Sequence, residues 1–124
     1  MRILLAEDHR DTSEAMARLL HAAGHDVVEA ETIHESESFL VSEPFDVLLC
    51  DLWLADGEAW ELAGVADRHG IPAIAITGLG DRETIKHAEI AGFAAHLLKP
   101  VNFADVEKTL YEAVRSYRPK STLC

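Results

Sequence analysis

Hydrophobic and polar positions alternate in blocks along this chain. Four hydrophobic runs, Ile3-Leu4-Leu5-Ala6, Phe45 to Cys50, Ala73-Ile74-Ala75-Ile76 and Ala94 to Leu98, each end at a polar signal. With the shorter, more polar run Asp26-Val27-Val28-Glu29-Ala30, they predict strands over about 2–7, 26–30, 45–50, 73–77 and 94–98. The first, third and fourth read as strands covered on both faces, and the second as an edge strand. Pro72 sits just before the fourth, where its missing donor is tolerated.

Helices fill the gaps. Asp11 and Glu14 match a capping box ahead of Ala15, Met16, Leu19, Leu20 and Ala23, which share one helical face, and Gly24 supplies the stop. A weakly patterned second helix is expected over about 32–42 and a third over about 58–68. Asp81 caps a fourth that reaches about Gly92. Phe103, Val106, Leu110, Val114 and Tyr117 mark the inner face of the fifth. Five right-handed strand–helix units give a doubly wound α/β sandwich, a flavodoxin-like parallel sheet of order 2-1-3-4-5. The expectation is one domain over 1–118 with a frayed tail at 119–124.

Composition narrows the function classes. Hydrophobic content of 48% and charged content of 27% are those of a globular protein. No apolar stretch approaches a membrane span or a signal peptide's apolar region. A formal charge of −11 repels nucleic acid phosphates and anionic membranes, so neither is an expected partner. Cys50 ends a buried strand and Cys124 is the last residue, which speaks against a disulfide and for a reduced, cytoplasmic setting.

In an open parallel sheet the ligand crevice lies beyond the carboxyl ends of the strands. The polar signals Glu7-Asp8, Asp51, Thr77 and Lys99-Pro100 therefore converge on one acidic pocket. Three carboxylates do not gather without a compensating cation, and oxygen-only donors select a hard ion. Mg²⁺ is the expected occupant, with Mn²⁺ as an alternative. Asp8, Asp51 and the backbone carbonyl of Trp53 are the expected direct ligands, with Glu7 acting through a bound water. Asp51, ending the central strand, is the candidate nucleophile for an aspartyl phosphate. Lys99 pairs with one phosphoryl oxygen, and the Thr77 hydroxyl and the amides around Gly78 bond another. A cis Lys99–Pro100 peptide would aim the lysine inward.

This ordered set resembles the receiver domain of two-component response regulators, and the resemblance covers Met1 to about Tyr117. It implies that Asp51 accepts a phosphoryl group from a phosphohistidine on a sensor histidine kinase or histidine phosphotransfer protein. Thr77 then moves toward the phosphate and rearranges the face of the fourth helix, fifth strand and fifth helix. That face would serve a downstream protein, a linked output domain or a phosphorylation-dependent dimer. Such a domain is a signalling module, not an enzyme beyond its own phosphorylation and dephosphorylation. The family's aromatic switch position is here His96, which implies a coupling that is altered or pH-sensitive, although His96 reads equally as an ordinary partly exposed residue. Its usual proline and glycine in the loop after the aspartate are Ala55 and Ala59. The positions that tune dephosphorylation hold Trp53 and Leu79, whose bulk is expected to hinder water and prolong the phosphorylated state.

Weighed singly, Asp8 reads as a helix cap, Thr77-Gly78 as a turn and Lys99-Pro100 as a surface loop; only the set is specific. His9, His21, His25, His34, His69 and His87 read as solvated, Trp60 as packing or surface, and Cys50 as buried and inert. A flavin or nucleotide module on this fold would need a glycine- or hydroxyl-rich phosphate loop after the first strand, and Glu7-Asp8-His9-Arg10-Asp11 is acidic. An aspartyl phosphatase would want a second acid where Trp53 stands. The remaining alternative is a receiver-like interaction module independent of phosphorylation.

Overall fold

The computed structural model describes residues 1–119. The tail expected to fray lies outside the described residues from Lys120 on, Cys124 included. Five parallel strands, β1 (Arg2–Ala6), β2 (Asp26–Ala30), β3 (Val47–Asp51), β6 (Ala73–Thr77) and β7 (Ala95–Leu98), form one sheet in the order β2-β1-β3-β6-β7. A separate antiparallel pair, β4 (Trp53–Leu54) and β5 (Gly57–Glu58), interrupts the numbering. Counted over the main sheet alone, the order is the expected 2-1-3-4-5. Helices are α1 (Arg10–Ala22), α2 (Ile33–Ser42), α3 (Leu62–Arg68), α4 (Arg82–Ala91) and α5 (Phe103–Ser116). None is long and apolar enough to cross a membrane.

The near-continuous apolar strands are those buried on both faces, and their period-2 alternation splits the core in two. Leu4, Leu48 and Cys50 pack with Leu40 of α2, Leu62 and Ala66 of α3 and Ala88 of α4. Ile3, Leu5, Val47, Leu49, Ile74 and Ile76 pack with Ala17 and Leu20 of α1 and Val106 and Leu110 of α5. β2 shows the half-exposed pattern of an edge.

The register matters most for function. Ala6 pairs with Cys50, Asp51 with Ile76 and Thr77 with Leu98. Lys99 N–H then bonds the Thr77 carbonyl at 2.9 Å. One row of backbone hydrogen bonds thus sets Glu7, Asp51, Thr77 and Lys99 on the same rim.

Five local expectations need correction. Asp11 and Glu14 form no capping box: α1 begins at Arg10 with His9 as its N-cap residue, and Asp11 sits in the first turn, where its charge favours the helix N-terminus. The buried stripe of α1 is Ser13, Ala17 and Leu20; Leu19 is 48% exposed, and Ala15 and Ala23 face solvent. Ser13 is tolerated inside because its hydroxyl donates to Glu29 Oε1 at 2.7 Å. On α5 the inward residue is Ala113, whereas Val114 is exposed and Tyr117 lies past the helix end, its hydroxyl donating to Asp67. His25 is buried, not solvated, with Nδ1 at 3.0 Å from the Met1 amine and Nε2 at 3.5 Å from Glu107 Oε2.

The third helix starts at Leu62, not near 58, because the residues before it turn back on themselves. Trp53 pairs with Glu58 and Leu54 with Gly57. Ala55-Asp56-Gly57 carries the Asp-Gly signal of a tight turn, and Gly57 takes a φ of 137° that an L side chain resists. Asp56 at the tip accepts from Ile33 N–H at 2.7 Å and His34 N–H at 3.1 Å, capping α2 from a distant segment alongside that helix's own cap, Thr32. Those amide bonds hold the exposed Asp56 carboxyl below the usual carboxylate range.

Two measurements check this architecture. In urea unfolding, Leu20→Ala costs about 2–5 kcal/mol as a core truncation, while Leu19→Ala stays within about 0.5 kcal/mol. Asp56 has a folded pKa below its unfolded one, so its stabilising effect is complete above the unfolded value and fades as pH falls through the folded one. The gap in melting temperature between wild type and Asp56→Ala is therefore steady near neutrality and closes below about pH 4.

Candidate functional site

The rim of the sheet brings together the residues that its register aligns. Glu7, one residue past β1, is 5% exposed, and Asp51, the last residue of β3, is 7% exposed. Thr77, ending β6, is 1% exposed. Lys99 follows β7, and the peptide from Lys99 to Pro100 is cis. Its Nζ lies 2.6 Å from Asp51 Oδ2 and 3.3 Å from Glu7 Oε1. Asp51 Oδ1 accepts the Trp53 N–H at 3.2 Å, and Glu7 Oε2 accepts the His9 N–H at 3.2 Å. The exposed Asp8 completes the cluster: ligand oxygens of Glu7, Asp8 and Asp51 all lie within 4.8 Å of one another.

Electrostatics follow from this packing. Burial raises the Glu7 carboxyl above its usual range, and the Asp51 charge adds to the effect; the His9 amide and Lys99 pull the other way. Burial alone would lower the Lys99 ammonium, but Asp51 and then Glu7 outweigh it and leave its pKa raised. One ammonium thus faces three carboxylates. That oxygen-only donor set, with negative charge in surplus, fits a hard divalent cation. Burial, with the charges of Asp51 and Glu7, also pushes up the Cys50 thiol beneath the site, which keeps it inert.

The Thr77 hydroxyl accepts the Leu79 N–H at 3.0 Å, and a threonine hydroxyl can donate at the same time. Leu79 is exposed, and the Trp53 side chain, two residues past Asp51, is 38% exposed. His96 is exposed on the edge strand β7, paired in register with Ala75, and belongs to the outer face, not to the acidic cluster. Ala59 is fully buried with its N–H bonded to the Leu52 carbonyl at 2.8 Å, so the loop closes tightly without a glycine there; Ala55 is exposed at the hairpin tip.

Sequence reasoning missed two groups beside the site. Asp56 ties the loop after Asp51 to α2, and the Asp-Gly pair was its available signal. Trp60 and His87 stack face to face, with ring centroids 3.8 Å apart. No sequence pattern announces that contact, because it joins a loop to a helix more than twenty residues away.

Comparison with known proteins agrees with this geometry. The sequence profile of the response regulator receiver domain matches residues 3–111. The response regulator protein PilR of Pseudomonas aeruginosa is 30% identical over 122 residues, covering 97% of this chain but only 27% of PilR's own length. The non-phosphorylated HemR receiver domain from Leptospira biflexa superposes with a TM-score of 0.83 at 27% identity, over 95% of this chain and 97% of that one. The receiver domain of the sensor histidine kinase PA1611 from Pseudomonas aeruginosa, with a magnesium ion coordinated in its active-site cleft, has a TM-score of 0.83, covering 93% of this chain and 98% of that one. At 20% identity that likeness shows the fold alone. With a profile match over most of its length and the acidic rim that its sheet builds, the chain belongs to the response regulator receiver domain family of two-component signalling.

Proposed function

We propose that Asp51 is a phosphoacceptor, taking a phosphoryl group from a phosphohistidine on a sensor histidine kinase or histidine phosphotransfer protein. The observation that carries this reading is the Lys99 ammonium 2.6 Å from Asp51 Oδ2, inside a cluster that also holds Glu7 and Asp8. A carboxylate nucleophile has no proton to lose: its oxygen forms the new P–O bond as the P–N bond to the histidine breaks, and the imidazole nitrogen takes up the electron pair. Lys99 can follow the charge from the carboxylate to a phosphoryl oxygen, and the Thr77 hydroxyl can donate to another. Asp8, Asp51 and the Trp53 carbonyl would hold Mg²⁺ or Mn²⁺, with Glu7 on a bound water; the ion when bound supplies further neutralisation of phosphoryl charge. The magnesium site of the PA1611 receiver supports that assignment by analogy of fold.

The output reading follows the same logic. Movement of Thr77 toward a phosphoryl oxygen would alter the face of α4, β7 and α5, where His96, Ile90 and Leu98 stand exposed. A downstream protein, a linked output domain or a second copy of the chain would read that face, with His96 in the switch position, in a cytoplasmic setting. The buried acidic set speaks against a module independent of phosphorylation, because gathering like charges is costly when no cation or phosphoryl group uses them.

Incubation with acetyl phosphate followed by intact-mass measurement tests the central step. A single phosphoryl adduct that requires both Mg²⁺ and Asp51, and is absent in Asp51→Asn, is the expected result. Absence of an adduct on a folded wild-type protein contradicts it. The exposed bulk of Trp53 and Leu79 also predicts slow hydrolysis: replacing either by a small polar residue shortens the adduct's lifetime, whereas a wild-type half-life of seconds would rule out shielding.

A further inference from the structure

Helix α4 is lightly held, since Ala88 is its one buried residue. On its flank the exposed His87 ring lies on the Trp60 indole, centroids 3.8 Å apart and planes 12° from parallel. Trp60, half-buried against the core, meets the Trp53 indole edge-on at 6.0 Å and 74°. Its Nε1–H also donates to Glu58 Oε2 at 3.1 Å, and Glu58 is the residue opposite Trp53 across the β4–β5 pair. The Trp53 N–H in turn donates to Asp51 Oδ1. Three side chains, His87, Trp60 and Trp53, and the Trp53 amide thus run unbroken from the surface of α4 to the Asp51 carboxylate.

The Trp53–Trp60 contact lies in the favoured edge-to-face range for ring pairs, and the His87–Trp60 stack is closer and more nearly face to face; ring pairs of this kind contribute beyond the area they bury. The far end of the hairpin cannot follow α4, because Asp56 fastens it to the α2 amides. A displacement of α4 must therefore be absorbed between Trp60 and Trp53. Trp53 is also the residue whose backbone N–H holds Asp51 Oδ1.

We propose that His87 and Trp60 are positioning residues that seat Trp53 beside Asp51, and so couple the exposed surface of α4 to metal affinity and phosphoryl lifetime in the acidic pocket. The statement about lifetime rests on the phosphoacceptor reading of Asp51; the statement about metal affinity does not. By linkage, a protein that binds α4 and draws His87 off Trp60 loosens the pocket, and a metal held in the pocket favours the stacked position of α4 to the same degree.

The test compares wild type, His87→Ala, His87→Phe and, as a control on the same helix, Glu89→Ala. These positions are exposed, so folding is spared. Three quantities are read: tryptophan emission, Mg²⁺ affinity by calorimetry, and half-life of the acetyl phosphate adduct. His87→Ala shifts the emission to the red and lowers both affinity and half-life by about twofold to tenfold, the ratio that one aromatic pair's contribution corresponds to. His87→Phe, which stacks without a titratable nitrogen, restores all three, and Glu89→Ala leaves them unchanged. Affinity and half-life untouched by His87→Ala, a Phe variant that fails to restore them, or a wild type that binds no Mg²⁺ overturns the proposal. If the wild type binds Mg²⁺ but takes no phosphoryl group, the phosphoacceptor reading falls and the affinity series alone decides for or against the positioning role.

Discussion

The contact between Lys99 and Asp51 is the interaction on which the rest of this structure turns. It sets one ammonium against a carboxylate that already has Glu7 and Asp8 for neighbours. Left to themselves, three carboxylates this close would separate. They stay together because each is carried on the end of a strand, or one or two residues beyond it, and the strands are locked by their ladder of hydrogen bonds. Backbone register, stabilised by two apolar layers, thus maintains a charge arrangement that side-chain electrostatics alone would disperse. The surplus of negative charge is the chemical potential of the site: it favours a hard cation, and it favours moving negative charge onto groups that such a cation and Lys99 can reach.

This division of labour explains which parts of the molecule were readable in the sequence. Strands buried on both faces demand long apolar runs, and a polar residue at the end of such a run has few structural reasons to be there. Glu7, Asp51, Thr77 and Lys99 could be placed on one rim for that reason, and the sheet order followed from the handedness of the crossovers. Helix faces were less legible. On α1 the inward stripe runs through Ser13, a polar residue satisfied by Glu29, so hydrophobicity pointed instead to Leu19, which solvent reaches. His25 was misread for a similar reason: its burial depends on partners at Met1 and Glu107 that no local pattern reveals.

The loop after Asp51 was the least legible segment and carries the most individuality. A helix was expected to begin near 58, yet the chain folds into a two-strand hairpin whose turn Asp56 and Gly57 define. Its tip caps α2, and its root supplies an amide to Asp51. Trp60 then leans between this hairpin and α4. The same loop therefore does three things at once: it donates an amide to Asp51, fastens itself to α2, and connects the site to the least buried helix. Long-range contacts of this kind depend on tertiary placement, which explains why composition and periodicity pass over them.

Thermal unfolding across a magnesium titration, for wild type and Asp51→Asn, tests most directly the claim that surplus charge at this rim is held in readiness for a cation. An ion that binds only the folded state raises the melting temperature progressively with its concentration. A clear rise is expected for the wild type, and a much smaller one for Asp51→Asn, in which a proposed carboxylate ligand and one of the repelling charges give way to a neutral amide. A melting temperature indifferent to magnesium in the wild type, or an equal rise in both proteins, would contradict that claim.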